Sequence, residues 1–137
     1  MNEKNYADSF KRFLLRQERT YETALAELKA GKRTGPWTVC FFPRLRDPET
    51  DSRKAHVFGL IDVDHARAYL SYPILGPRLR ECCSALLSNT EKSAVDIFGK
   101  RNAKRVYDSI KLFSLAAGDG SVFHKVIEQF FSYDFDK

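Results

Sequence analysis

Seven side chains from three separated stretches are of the types that could together hold a phosphorylated molecule: Arg44, Arg78, Arg105 and Lys111 as cations, and Trp37, Phe41 and Phe42 as rings. A guanidinium offers paired N–H groups that match phosphate oxygens, and an aromatic wall gives a flat apolar partner for the rest of such a ligand. Arg78 follows Gly76 and Pro77, a pair that opens a helix whose first-turn amides and dipole suit an anion. The same residues have a plainer reading, in which Gly-Pro only starts the helix and Arg78 pairs with a carboxylate. Two titratable pairs, Asp108 with Lys111 and Glu81 with Arg78, are the candidates for proton transfer, but neither spacing is diagnostic and no catalytic residue is assigned.

Other chemistries find less support. His56, His65 and His124 stand apart from one another and from cysteine at ligand spacing, so no metal is expected. Cys82 and Cys83 fall on an apolar stripe, where a thiolate is unfavourable, which leaves Cys40 as the remaining thiol nucleophile. There is no glycine-rich phosphate loop and no dinucleotide fingerprint, so no cofactor is expected. Among 137 residues, 23 Lys and Arg against 18 Asp and Glu give a net charge of +5. That excess favours anionic partners. It is dispersed over Lys29-Lys32-Arg33, Arg44-Arg46, Arg53-Lys54, Arg78-Arg80 and Lys100-Arg101-Lys104-Arg105, as on solvated helix faces, so an anionic small molecule ranks ahead of nucleic acid or an acidic protein.

Helices must bring these residues together. Phe10, Phe13, Leu14, Gln17, Tyr21, Ala24, Leu25 and Leu28 recur at three- and four-residue intervals and predict a long helix, capped by Asp8 or Ser9 and ended by Gly31. Trp37 to Phe42 is a short apolar run of strand-like composition, and Arg44 to Lys54 reads as an exposed loop. Asp62 or Asp64 can cap a helix through Leu70 that stops near Tyr72-Pro73. A further helix carries Leu79, Cys82, Cys83, Leu86 and Leu87 inward, and a short one runs from Ser93 to Phe98 with Asp96 completing its cap. Val106, Ile110, Phe113 and Ala117 form the next stripe, capped by Asn102 and broken at Gly118. Ser121 starts the last helix, with Val122, Val126, Ile127 and Phe130 inward. The expectation is one all-α domain over residues 1–137, an orthogonal bundle of about five or six helices with a frayed tail at 132–137. No apolar run reaches the ~20 residues of a membrane span, no signal-peptide layout is visible and no disulfide framework can be read, so a cytoplasmic protein that avoids membranes is expected.

The ordered landmarks Phe13-x-x-x-Gln17-x-x-x-Tyr21, Trp37 with Phe42-Pro43-x-Leu45, Ala66-x-x-Tyr69-Leu70-x-x-Pro73-x-Leu75-Gly76-x-Arg78-Leu79-x-Glu81, Ile97-Phe98-Gly99 and Leu112-Phe113 resemble the domain of unknown function 1810 family, an uncharacterised and mainly helical group. The resemblance runs over nearly the whole chain. It implies an all-α domain and a short helix, not a strand, at Trp37 to Phe42. Several of the family's polar positions are replaced: a glutamine after Phe-Pro by Arg44, histidines by Pro36 and Tyr72, an aspartate by Asn102, a second tryptophan by Val39, a glycine-rich loop by Arg46-Asp47-Pro48, and a Ser-Met-Thr string by Ser109-Ile110-Lys111. The chain therefore resembles a divergent member in which the apolar landmarks persist and basic residues enter the polar ones. That pattern motivates the expectation of a nucleotide or ADP-ribose-type ligand bound without strong catalysis.

Overall fold

The long apolar stripe forms the helix its spacing requires. The computed structural model describes residues 6–49, 51–53, 57–118 and 120–132. In it α1 spans Ala7–Ala30 and buries Phe10, Phe13, Gln17, Ala24 and Leu28. Gly31, at φ 77°, closes it with a left-handed cap that only glycine adopts freely. Its start differs from expectation. Tyr6 occupies the cap position without a side-chain bond, because Ser9 turns inward to meet His65 Nε2 at 3.1 Å.

Trp37 to Phe42 resolves as a single helical turn, α2, at Thr38–Phe41. Six consecutive residues with a proline behind them do not settle period by themselves. α3 spans Val63–Ser71, and its cap Asp62 accepts the His65 N–H at 2.8 Å. It ends at Tyr72, held extended before Pro73. α4 follows over Leu75–Leu87 and buries Leu79, Cys82, Cys83 and Leu86.

In α5, Ala94–Phe98, the expected capping box is present: Ser93 accepts the Asp96 N–H and Asp96 accepts the Ser93 N–H, both at 3.0 Å. Removing it with Ser93→Ala should lower stability by about 1 kcal/mol, or about 3 °C in Tm, readable by thermal denaturation. Gly99, at φ 80°, turns the chain directly into α6, Lys100–Ala117, so this helix starts before the Asn102 cap that the sequence suggests. α7, Val122–Phe130, is capped by Ser121 and buries Phe123 and Val126, while Val122, Ile127 and Phe130 are half-buried. Among the described residues there are seven helices against the five or six expected, and they include the short α5 that the sequence suggests and the short α2 that the resemblance implies. The described residues pair as β-structure only in an isolated parallel bridge between Leu45 and Leu60.

α1 packs on α4, α3 on α6, and α7 on both α4 and α6. A chain of rings threads these helices: Phe13 to Tyr69 at 5.2 Å, Tyr69 to Phe113 at 5.4 Å and Phe113 to Phe123 at 5.7 Å. No helix among the described residues is long and apolar enough to cross a membrane. The expected frayed tail, apart from Ser132, lies outside the described residues.

Candidate functional site

The loop after α2 is braced from within by one buried acid. Asp51, whose side chain is 2% exposed, takes Arg44 Nη2 at 2.6 Å on one oxygen and the Asp47 N–H at 2.8 Å on the other. The Leu45–Leu60 bridge adds Arg46 N–H to Leu60 O at 2.9 Å and Leu60 N–H to Arg44 O at 2.8 Å. Burial pushes the Asp51 carboxyl up, but these hydrogen bonds with the charges of Arg44 and Arg105 outweigh it and hold it below its ordinary range. Asp51 is thus a fixed anion.

Across from this loop, α6 presents Arg101, Lys104, Arg105, Asp108, Lys111, Leu112 and Leu115, which its three- and four-residue spacing places on one face. Between them lies a cleft of about 470 Å³ lined by Arg44, Leu45, Arg46, Asp47, Val63, Asp108, Lys111, Leu112 and Leu115. A smaller hollow of about 310 Å³, lined by Arg44, Asp47, Arg101, Lys104, Arg105 and Asp108, shares three residues with it.

Arg44 lines both hollows, with Lys111 in the larger and Arg105 in the smaller. Arg105 donates no hydrogen bond to a described residue. Its half-buried guanidinium is held below its ordinary value first by burial and then by the neighbouring Arg44 charge, with Asp51 and Asp108 only partly compensating. A cation so placed gains from any anion that enters beside it. Lys104 bridges Asp108 at 2.9 Å, and its ammonium, like that of Lys111, lies over the Tyr107 ring, at 5.4 and 4.9 Å.

Arg78 stands elsewhere. It lies over Tyr21 at 4.9 Å and bridges Glu18 at 3.1 Å, while Glu81 accepts the Tyr21 hydroxyl. The amides expected to receive an anion are engaged, Gly76 N–H by Tyr72 O at 3.2 Å and Arg78 N–H by Ile74 O at 3.1 Å. The plainer reading holds at this helix start. Trp37, Phe41 and Phe42 are each 0–1% exposed and face one another and Phe98 inside the core, so they offer no wall to a ligand. The indole N–H of Trp37 goes to Glu27 at 2.8 Å. Arg46, Arg101 and Lys104 belong to the cation clusters visible in the sequence but not to the expected site, and Asp51 belongs to neither. The i, i+3, i+4 cation spacing on α6 was the available signal for Arg101 and Lys104.

The three thiols are buried. The thiols of Cys82, pushed up to about 12, and Cys83 are raised chiefly by burial. Cys40 is 1% exposed. Ser9 and His65 look like a dyad, but the Ile61 N–H donates to His65 Nδ1 at 3.0 Å, so Nε2 carries the proton and donates to Ser9. That tautomer cannot accept the serine proton.

The model for a protein of unknown function, DUF1810, matches residues 7–137. The chain is also similar to a solved structure, the conserved hypothetical protein Rv1873 from Mycobacterium tuberculosis: 31% identity, with 89% of this chain and 86% of that one covered at a TM-score of 0.85. Among curated proteins none matches.

Proposed function

This chain belongs to the DUF1810 family of proteins of unknown function, and we propose that on this all-α fold it binds a phosphorylated small molecule in the cleft between the Arg44–Asp47 loop and α6. The observation that carries the reading is Arg105: half-buried, crowded by Arg44 and without a hydrogen-bond acceptor among the described residues, it is a cation whose environment improves when an anion arrives. Arg44 is already oriented by Asp51, so little ordering is needed on binding. Nucleotides and ADP-ribose-type molecules are the first ligands to test. Binding without vigorous turnover fits best, because Asp108 is tied to Lys104 and Glu81 accepts from Tyr21, which leaves neither expected acid–base pair poised as a pair.

Arg105→Gln tests this directly. A charge-assisted contact is worth about 1.5–3 kcal/mol, so titration calorimetry with a nucleotide panel should show affinity reduced roughly ten- to hundredfold. The unliganded variant should unfold at the same temperature as the parent or higher, because a crowded cation has been removed. No binding by the parent protein at millimolar ligand, or destabilisation with binding unchanged, would overturn the reading. Affinity for an oligonucleotide that collapses with salt, with no small-molecule binding, would assign the basic face to nucleic acid instead.

A further inference from the structure

The two parts of the cleft differ in character. The smaller hollow sets four cations, Arg44, Arg101, Lys104 and Arg105, against Asp47 and Asp108. The larger one continues from the shared Arg44, Asp47 and Asp108 onto Leu45, Val63, Leu112 and Leu115. Leu115 is 66% and Leu45 41% exposed, so an aliphatic ledge stands open to water immediately beside a cationic hollow. Large apolar side chains gathered at a charged concavity mark a place where something apolar is covered.

We infer that the cleft is bipartite and takes a nucleoside-diphosphate-type ligand end on: the diphosphate in the Arg44–Arg101–Arg105 hollow, and the organic body along the Leu112–Leu115 ledge. This rests on the phosphate-binding reading above and adds the ligand's class and direction. The junction chemistry supports the order. Asp47 and Asp108 would repel phosphate oxygens, but their carboxylates accept hydrogen bonds from hydroxyl groups, which is what a sugar joining phosphate to base presents there. Among the described residues the ledge contains no aromatic ring, so the body is held by apolar contact with leucine side chains and not by ring stacking.

Calorimetry with inorganic pyrophosphate and with ADP as probes, on the parent protein and on Leu115→Ser, separates the two readings. The parent should bind pyrophosphate, and ADP at least about tenfold more tightly. Leu115→Ser should lose most of that advantage while keeping its pyrophosphate affinity, whereas Arg105→Gln should weaken both probes. Equal affinity for the two probes, or an ADP advantage that survives Leu115→Ser, overturns the bipartite ligand and leaves the phosphate site standing. Failure of the parent to bind either probe removes both readings.

Discussion

Gly76→Ala should lower stability by about 3 kcal/mol or more, a fall of about 10 °C in Tm, although alanine is the better helix former by roughly 0.5–1 kcal/mol. A Cβ at position 76 would lie 2.0 Å from the Leu70 carbonyl oxygen and 2.9 Å from its carbon. The atom in the way is backbone, at the end of α3, and it cannot step aside like a side chain. Either α4 withdraws from α3 or the last turn of α3 deforms, and each loosens a core in which Leu75, Leu79 and Tyr69 are fully buried. Urea unfolding should show a lower midpoint with an unchanged slope, since the surface exposed on unfolding is the same. A variant as stable as the parent would mean that the two helices can separate at no cost.

That expectation also says what the Pro73-x-Leu75-Gly76-x-Arg78-Leu79 string is for. Read as sequence, Gly-Pro-Arg at a helix start suggests an anion site. In the structure the glycine admits a carbonyl, the amides are bonded to Tyr72 and Ile74, and Arg78 is held between Glu18 and Tyr21. Helix positions were legible because period and caps are local: Asp62, Ser93 and Ser121 cap where expected. Residue type alone suggests that Arg44, Arg78, Arg105 and Lys111 converge; that Arg44 shares one hollow with Lys111 and another with Arg105, while Arg78 lies elsewhere, depends on how a loop lies across a helix, which no local signal encodes. Trp37, Phe41 and Phe42 mislead for the same reason. A ring in a short apolar run is equally good as ligand wall or as core, and the helical turn of α2 directs all three inward. Asp51 gives no signal because one acid among several in a charged loop reads as solvated. Only its contacts with Arg44 and the Asp47 amide show that it anchors the rim of the cleft.

The same logic makes Glu27, on the polar side of α1, a larger contributor to stability than its sequence setting suggests. Its Oε1 accepts Thr34 N–H at 2.7 Å, Gly35 N–H at 3.0 Å and the Trp37 indole N–H at 2.8 Å, and its Oε2 accepts the Thr34 hydroxyl at 2.7 Å. Burial raises this carboxyl, yet the hydrogen bonds from Thr34, Gly35 and Trp37 outweigh it and bring it down to about 2 from 4.5. Glu27→Ala leaves three N–H donors without their acceptor and should cost about 3 kcal/mol. Glu27→Gln can keep all four bonds, with its amide donating to the Thr34 hydroxyl, and loses only the charge, so its cost at neutral pH should be about 1 kcal/mol. The folded value lies below the unfolded one, so the stabilisation is complete above about pH 4.5 and disappears as pH falls toward 2. The gap between parent and Glu27→Gln should therefore narrow across that interval in urea unfolding at pH 7, 4 and 3. A gap constant over that range would mean that the charge on Glu27 contributes nothing, and that its oxygens act by position alone.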